Sequence, residues 1–133
     1  MASGVYAKSR GPILKADLDL DGDLRVILVS AAYMADLSAD DMLEDIDAGA
    51  RISTAAVALA GKVTSAVGVF DADDTTFPTV TGAAVVAAVI YLHTGTESTS
   101  KLLSRHEFAA PVTPDGTDII VRWSAADKIL TAS

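Results

Sequence analysis

The sequence predicts a mainly β protein, either an antiparallel β-sandwich or a barrel-like domain, with one short helix and an extended N-terminal arm. Three observations support this fold class. Apolar and polar residues alternate with period two, turn-forming residues separate the segments closely, and β-branched residues dominate the apolar runs. We expect residues 1–12 to form the arm and residues 13–133 to form a single β-rich domain. A chain of 133 residues has room for one ordinary core.

The first twelve residues differ in composition from the rest of the chain. They contain the cations Lys8 and Arg10, several small residues, and Gly11 followed by Pro12, which together block regular structure. An aromatic ring beside two cations suits docking on an acidic neighbouring surface, and Tyr6 occupies that position. We therefore expect this arm to contact a partner.

Strand candidates follow the arm. From Ile13 to Ser30, alternation predicts two antiparallel strands joined at Asp21-Gly22, a two-residue hairpin signal. The apolar run Ala83–Leu92 has alanines that suit a helix, but its valines and Ile90 favour a central strand covered on both faces. The further predicted strands are Arg51–Leu59, Lys62–Val69, Asp74–Phe77, Ala83–His93, Lys101–Phe108, Asp118–Trp123 and Lys128–Leu130.

One short helix is predicted at residues 38–47. Ser38 is a suitable N-cap, and aspartates at positions 40 and 41 favour the positive end of a helix. Gly49 follows where a helix-ending glycine belongs. The helix is short and needs a sheet to pack against. The residues of its apolar face are Met42, Leu43 and Ile46.

Charge and composition exclude several functions. Lys and Arg total 10 and Asp and Glu total 18, so the net charge is −8. This charge disfavours binding to a nucleic-acid backbone and to an anionic membrane surface. The chain has no cysteine, which excludes disulfides, thiolate metal sites and a cysteine nucleophile. We expect no nucleic acid, no membrane and no cofactor among its partners.

One acidic run imitates the first half of a calcium loop. Asp17, Asp19 and Asp21 occupy ligand positions 1, 3 and 5, and a glycine follows at position 6. The bidentate glutamate required at position 12 is replaced by Leu28. We therefore expect a solvated strand face ending in a hairpin, with a weak surface cation site at these three aspartates as the alternative.

A second acidic cluster consists of Asp71, Asp73 and Asp74. Closely spaced carboxylates can hold a metal or perform acid–base chemistry. On a single loop, however, such aspartates more often accept hydrogen bonds from turn backbone groups. We expect the turn-stabilising role here.

The sequence contains no recognisable catalytic motif. His93 and His106 are the only histidines, and neither has the spacing of a zinc helix. Ser30, Ser104 and Ser124 lack the glycines of a nucleophile elbow, and no phosphate-binding loop is present. We expect no catalytic, cofactor-binding or firm metal-binding residues, and a protein that is not an enzyme.

Aromatic residues offer one alternative function. Trp123 lies at the end of a predicted strand, on the same face as Ile119 and Val121, which is typical of packing in a half-buried strand. A sugar-binding module would instead expose an aromatic platform. The candidates for such a platform are Trp123, Tyr91 and Tyr33.

Several segments together resemble small structural proteins of tailed bacteriophages, of the minor capsid, head decoration or tail type. The resemblance covers Ile13 to Leu130 and involves turns and strand cores. The segments that carry it are Leu24–Tyr33, Gly49–Arg51, Gly68–Phe77, Val80–Gly82, Ile90–Gly95, Pro111–Gly116 and Ile119–Trp123.

The resemblance implies a non-enzymatic virion protein. The preferred expectation is a head decoration, or cement, protein, made in the host cytoplasm and bound to the outer surface of the capsid shell. Its partners would be the major capsid protein and further copies of itself, with a trimer favoured. Many copies of a modest contact would gain avidity. By position and composition we expect residues 1–15 to clamp the shell, with contacts at Tyr6, Lys8, Arg10 and Pro12. The alternatives are a tail, neck or fibre-associated virion protein and a virion-displayed carbohydrate-binding or adhesion module.

Overall fold

The computed structural model describes residues 4–5, 23–33, 36, 39–52, 56–58, 63–64, 69–71, 74–121 and 130–131. These residues form a mainly β structure in which every strand pair is antiparallel. They contain no closed barrel, and none of their helices is long and apolar enough to cross a bilayer. The predicted fold class, a β-sandwich-like domain, is confirmed.

Ten strands form three sheets in this part of the chain. The strands are β1 (Gly4–Val5), β2 (Leu24–Ser30), β3 (Val57–Ala58), β4 (Val63–Thr64), β5 (Val69–Asp71), β6 (Thr75–Phe77), β7 (Val85–Leu92), β8 (Lys101–Val112), β9 (Ile119–Val121) and β10 (Leu130–Thr131). The largest sheet has the order β1-β8-β7-β2-β3, a second has the order β10-β5-β4, and the third pairs β6 with β9.

Strand β7 is the centre of the largest sheet. It pairs with β2 along one edge and with β8 along the other. Ala87, Ala88, Val89 and Ile90 are all fully buried although successive side chains point to opposite faces. The prediction of a central strand covered on both faces is therefore confirmed.

Two hydrophobic clusters lie on the two sides of this sheet. On the first face, Leu28 and Ile90 pack with Phe77 of β6 and Val121 of β9, so the small β6–β9 sheet covers this side. On the second face the cover is the chain segment that follows β2. The second-face cluster consists of Ile27, Val29, Tyr33, Leu43, Ile46, Ala50, Ala87, Val89, Tyr91 and Leu102.

The predicted helix over residues 38–47 is wrong. The described residues there form two 3₁₀ helices instead, Leu43–Asp45 and Ala48–Ala50. Met42 forms an antiparallel bridge with Lys101, and the Leu43 amide donates to the carbonyl of Ser100 at 2.8 Å. Pairing with the start of β8 occupies backbone groups that an α-helix would satisfy internally. A short segment without strong helix nucleation yields to such pairing.

Strand predictions succeed best where the apolar pattern is continuous. Strands β2, β6, β7 and β9 lie within their predicted ranges. The single strand predicted at Lys62–Val69 is wrong, because β4 and β5 pair with each other there as Val63 with Asp71 and Thr64 with Phe70. Strand β8 continues to Val112 because its pairing resumes at Val85 after a register shift. The first strand of the predicted hairpin and its turn at Asp21-Gly22 lie outside the described residues.

Two isoleucines provide a matched test of this core. Ile90 is fully buried in β7, whereas Ile120 in β9 is 47% exposed. Replacement of Ile90 by Ala should lower the free energy of unfolding by about 2–5 kcal/mol, because it removes a transfer contribution and leaves a cavity. Ile120→Ala should change that free energy by less than about 1 kcal/mol. Urea denaturation measures both, and equal losses in the two variants would contradict the burial described for β7.

Candidate functional site

A cavity of about 360 Å³ lies on the second face, near the end of β7. Apolar side chains, an aromatic ring and an ion pair all line it. The lining includes Ile27, Leu43, Arg51, Tyr91, His93 and Glu97.

Four parts of the fold bring these residues together. Strand β2 contributes Ile27, the end of β7 contributes Tyr91 and His93, and the 3₁₀ segment contributes Leu43 and Arg51. Because β2 and β7 are adjacent and fully paired, they supply a rigid floor. The loop between β7 and β8 supplies the remaining wall.

This β7–β8 loop is held by its own hydroxyl groups. The Ser100 hydroxyl donates to the carbonyl of Thr96 at 2.9 Å. The same hydroxyl accepts a hydrogen bond from the Thr94 amide at 3.2 Å. Gly95 has φ +92°, a left-handed conformation that favours glycine over residues with a Cβ. The loop carrying Glu97 is therefore internally bonded.

Arg51 connects the covering segment to the loop. Its Nη2 atom donates to the carbonyls of Leu43 and Ile46, at 2.9 and 2.7 Å, and to the carboxylate of Glu97 at 2.7 Å. The hydrogen bond from Arg51 and its positive charge lower the pKa of Glu97. The backbone of Arg51 also forms an antiparallel bridge with Val29 of β2.

Tyr91 and His93 form the aromatic wall of the cavity. Their ring centroids are 6.1 Å apart with an edge-to-face orientation, which is a favourable geometry for aromatic pairs. Burial raises the pKa of Tyr91, so its hydroxyl stays protonated at neutral pH. This wall thus combines apolar ring surface with a neutral hydroxyl.

Two buried nitrogen atoms in the lining residues lack a hydrogen-bond partner among the described residues. They are Nε of Arg51 and Nδ1 of His93. A buried polar atom without a partner costs about 1–3 kcal/mol. Most buried polar groups in native structures do have a partner, so these two atoms are exceptions that call for an explanation.

The predicted aromatic platform is wrong for two of its three candidates. Tyr33 is 4% exposed and Tyr91 is 3% exposed, because both pack into the cluster between the second face and the covering segment. The Tyr33 hydroxyl donates to the carboxylate of Asp40 at 2.7 Å. Trp123 lies outside the described residues. Tyr91 contributes to a cavity rather than to an exposed surface.

The predicted partner contacts at Tyr6, Lys8, Arg10 and Pro12 lie outside the described residues. The described part of the predicted arm, Gly4–Val5, forms β1. This strand pairs with Arg105 and Ser104 of the chain's own β8.

The acidic clusters yield no metal site in the described part of the chain. Asp17, Asp19 and Asp21 lie outside it, so their cation site remains a prediction. Of the second cluster, Asp71 ends β5 and Asp74 directly precedes β6. No group of three or more acidic or histidine side chains among the described residues is arranged to hold a metal ion.

The two histidines have separate positions. His93 lines the cavity, whereas His106 lies on β8, with its Nε2 atom 3.0 Å from the Ser104 hydroxyl. A serine within reach of a histidine is the starting geometry for nucleophilic catalysis. Ser104 is fully buried, however, so a substrate has no access to its hydroxyl. The pair satisfies buried polar groups.

Sequence reasoning did not identify Arg51 and Glu97. The two residues are 46 positions apart, and neither belongs to a catalytic or binding motif, although Arg51 ends the resembling segment Gly49–Arg51. The available signal was a single arginine between Ala50 and Ile52, both apolar.

Neither a protein-family model nor a curated protein matches the chain.

The position of His106 predicts a pH-dependent stability. Burial lowers its pKa to about 4 from the ordinary 6.5, so the neutral ring is favoured in the folded protein. Between these pH values the unfolded chain takes up a proton that the folded chain does not, and stability falls as pH falls. Over this interval the free energy of unfolding falls by about 1.4 kcal/mol per pH unit, which gives roughly 3 kcal/mol in total.

Substitution of His106 by Gln should remove this contribution. Urea denaturation of both proteins at pH 7.5, 6.5, 5.5 and 4.5 measures the effect, with acidic groups common to both cancelling in the difference. The stability difference between the proteins should be constant from pH 7.5 to about 7 and should then shift in favour of the variant as pH falls. Parallel curves down to pH 4.5 would contradict a buried neutral His106.

Proposed function

We propose that this chain is a non-enzymatic structural protein of a tailed-bacteriophage virion. Its role is that of a head decoration protein, which binds the major capsid protein on the outer surface of the shell and stabilises it. The observation that carries the proposal is the resemblance to small phage structural proteins from Ile13 to Leu130, nearly the whole chain.

The resembling segments coincide with the framework of the fold. Leu24–Tyr33 includes all of β2, and Ile90–Gly95 includes the end of β7. The segments Val80–Gly82 and Pro111–Gly116 meet in space, where the Gly116 amide donates to the carbonyl of Val80 at 2.9 Å. The resemblance therefore involves residues that form strands and turns of the domain.

Charge distribution supports a protein partner over a nucleic acid. The net charge is −8, and residues 36–47 contain six carboxylates and no Lys or Arg. Of the described members of this segment, Asp36, Glu44, Asp45 and Asp47 are exposed. An acidic surface of this kind repels DNA and keeps free copies soluble before assembly.

The start of the arm supports contact through main-chain pairing. Gly4–Val5 adds a strand to the edge of the central sheet, next to β8. Extended termini of this kind can equally lengthen a sheet edge in a neighbouring protein. We place the contacts with the shell beyond Val5, at Tyr6, Lys8, Arg10 and Pro12. Self-association into trimers would present several such arms to neighbouring shell subunits and raise the avidity.

Copy number separates this role from that of a tail component. Purified particles can be resolved on a quantitative gel, with the major capsid protein band as the internal reference. A decoration protein should occur in a copy number of the same order as the major capsid protein, because it occupies repeated shell positions. A copy number that matches the far less abundant tail proteins would favour the tail, neck or fibre alternative. Absence from mature particles would contradict both.

The arm contacts predict a specific loss of binding. A variant with Tyr6→Ala, Lys8→Ala and Arg10→Ala keeps Gly4–Val5 and therefore keeps β1. It should lose at least tenfold in affinity for expanded shells that lack the protein, about 1.4 kcal/mol, since it removes an aromatic anchor and two cations. Co-sedimentation with such shells measures the binding.

The matched control is Arg25→Ala. Arg25 is a partly exposed cation on β2, where it pairs with Asp23 at 3.1 Å. This variant should bind shells like the wild type, and both variants should show wild-type unfolding midpoints. Full binding by the triple variant would exclude the arm as the clamp, while retained binding of the wild type would still support the decoration role.

A further inference from the structure

We infer that the cavity lined by Arg51, Tyr91 and Glu97 is a binding site for a neutral sugar ring, a single pyranose unit with free hydroxyl groups. This site is distinct from the arm and does not depend on the virion role. Four features of the cavity carry the inference, namely its size, its charge balance, its unsatisfied polar atoms and its mixed lining.

The cavity has room for one small ring. Small-molecule sites have volumes of about 300–1,000 Å³, and this cavity has about 360 Å³. A volume at the lower end of that range suits a single monosaccharide unit.

Charge balance selects against ionic ligands. Arg51 and Glu97 are paired at 2.7 Å, so the two formal charges in the lining cancel. An anion would meet the Glu97 carboxylate and the net charge of −8 of the whole chain. A cation would meet Arg51, whose partner carboxylate is already engaged. A neutral polar ligand avoids both repulsions.

Hydrogen-bonding capacity points to hydroxyl groups. The Nε atom of Arg51 can only donate, whereas Nδ1 of His93 donates or accepts according to its tautomer. A hydroxyl group both donates and accepts, so it can satisfy either atom. Glu97 adds acceptor capacity, because a carboxylate has about four lone-pair positions and Arg51 donates to one of its oxygens. Both nitrogen atoms are buried, so contact requires the side-chain rotations that are common on binding.

The remaining lining matches the other half of a pyranose ring. Such a ring has apolar C–H faces as well as a hydroxyl edge. Ile27, Leu43 and the Tyr91 ring offer apolar surface on the side of the cavity formed by the sheet and the covering segment. The bonded loop from Thr94 to Ser100 holds the polar side in place, which reduces the ordering cost of binding.

Titration of the ¹⁵N-labelled full chain with methyl glycosides tests the site. The probes are methyl glucoside, methyl galactoside, methyl mannoside and methyl N-acetylglucosaminide, with N-acetylneuraminic acid and glucosamine as anionic and cationic comparisons. Gly95 lines the cavity, so its amide signal should shift saturably with at least one neutral glycoside at millimolar concentration. The Gly116 amide, in another loop, should not shift and serves as the control.

A pair of glutamate variants makes the test specific. The Glu97 side chain is 55% exposed and Glu44 is also exposed, so neither substitution should unfold the protein. Glu97→Ala should weaken glycoside binding at least tenfold. Glu44→Ala, which removes the same charge outside the cavity lining, should leave binding unchanged.

Three results would overturn the inference. They are the absence of a saturable Gly95 shift with every neutral glycoside, stronger binding of the charged probes than of the neutral ones, and undiminished binding in Glu97→Ala. Each of these leaves shell binding by the arm untouched, and loss of shell binding in the arm variant leaves the glycoside titration untouched. Failure of one proposal is therefore distinguishable from failure of the other.

Discussion

Burial of β7 between two partner strands and between two covering layers is the constraint on which the rest of this structure depends. Its backbone groups bond to β2 on one side and β8 on the other, so none of its regular ladder positions needs water. The two covering layers lie on opposite faces of the sheet, so the side chains of β7 point into a hydrophobic cluster on either face. Fully burying a Val or Ile side chain contributes about 1.5–3 kcal/mol, and each face of β7 contributes such residues. Ala87 and Ala88 leave space for the layers to approach closely.

The two covering layers differ in regularity, and the difference accounts for the cavity. On the first face, β6 and β9 are regular strands whose Phe77 and Val121 project into the core. On the second face, the described part of the cover contains two short 3₁₀ helices, Leu43–Asp45 and Ala48–Ala50. The side chains of these short helices do not fill all the space above the sheet, since the cavity lies between them and strands β2 and β7. Arg51 bridges part of the resulting space by donating to the carbonyls of Leu43 and Ile46, and the cavity remains beside it.

The proposed shell contact and the proposed sugar site use different parts of the central sheet. In the strand order β1-β8-β7-β2-β3, the arm begins at the β1 edge, whereas the cavity takes its floor from β7 and β2. In many proteins a regular scaffold positions loops that contain the binding residues. Here the central sheet would position the terminal segment at one edge and the cavity on one face. The two proposed contacts can therefore be tested by separate substitutions, at Tyr6, Lys8 and Arg10 for the shell and at Glu97 for the sugar.

By itself the sequence determined the elements whose stability is local or follows from a continuous pattern. The apolar runs at β2 and β7, the alternation at β9 and the antiparallel β-sandwich-like class all follow from side-chain period and turn residues, which are visible without tertiary contacts. Only the tertiary structure decided the fate of residues 38–47, because the donors and acceptors of Met42 and Leu43 pair with a strand almost 60 residues away. It alone also brought Arg51 to Glu97 and buried Tyr33 and Tyr91. Those outcomes depend on contacts between residues far apart in the chain, whose free energy overrides local propensity and is not visible in a linear pattern.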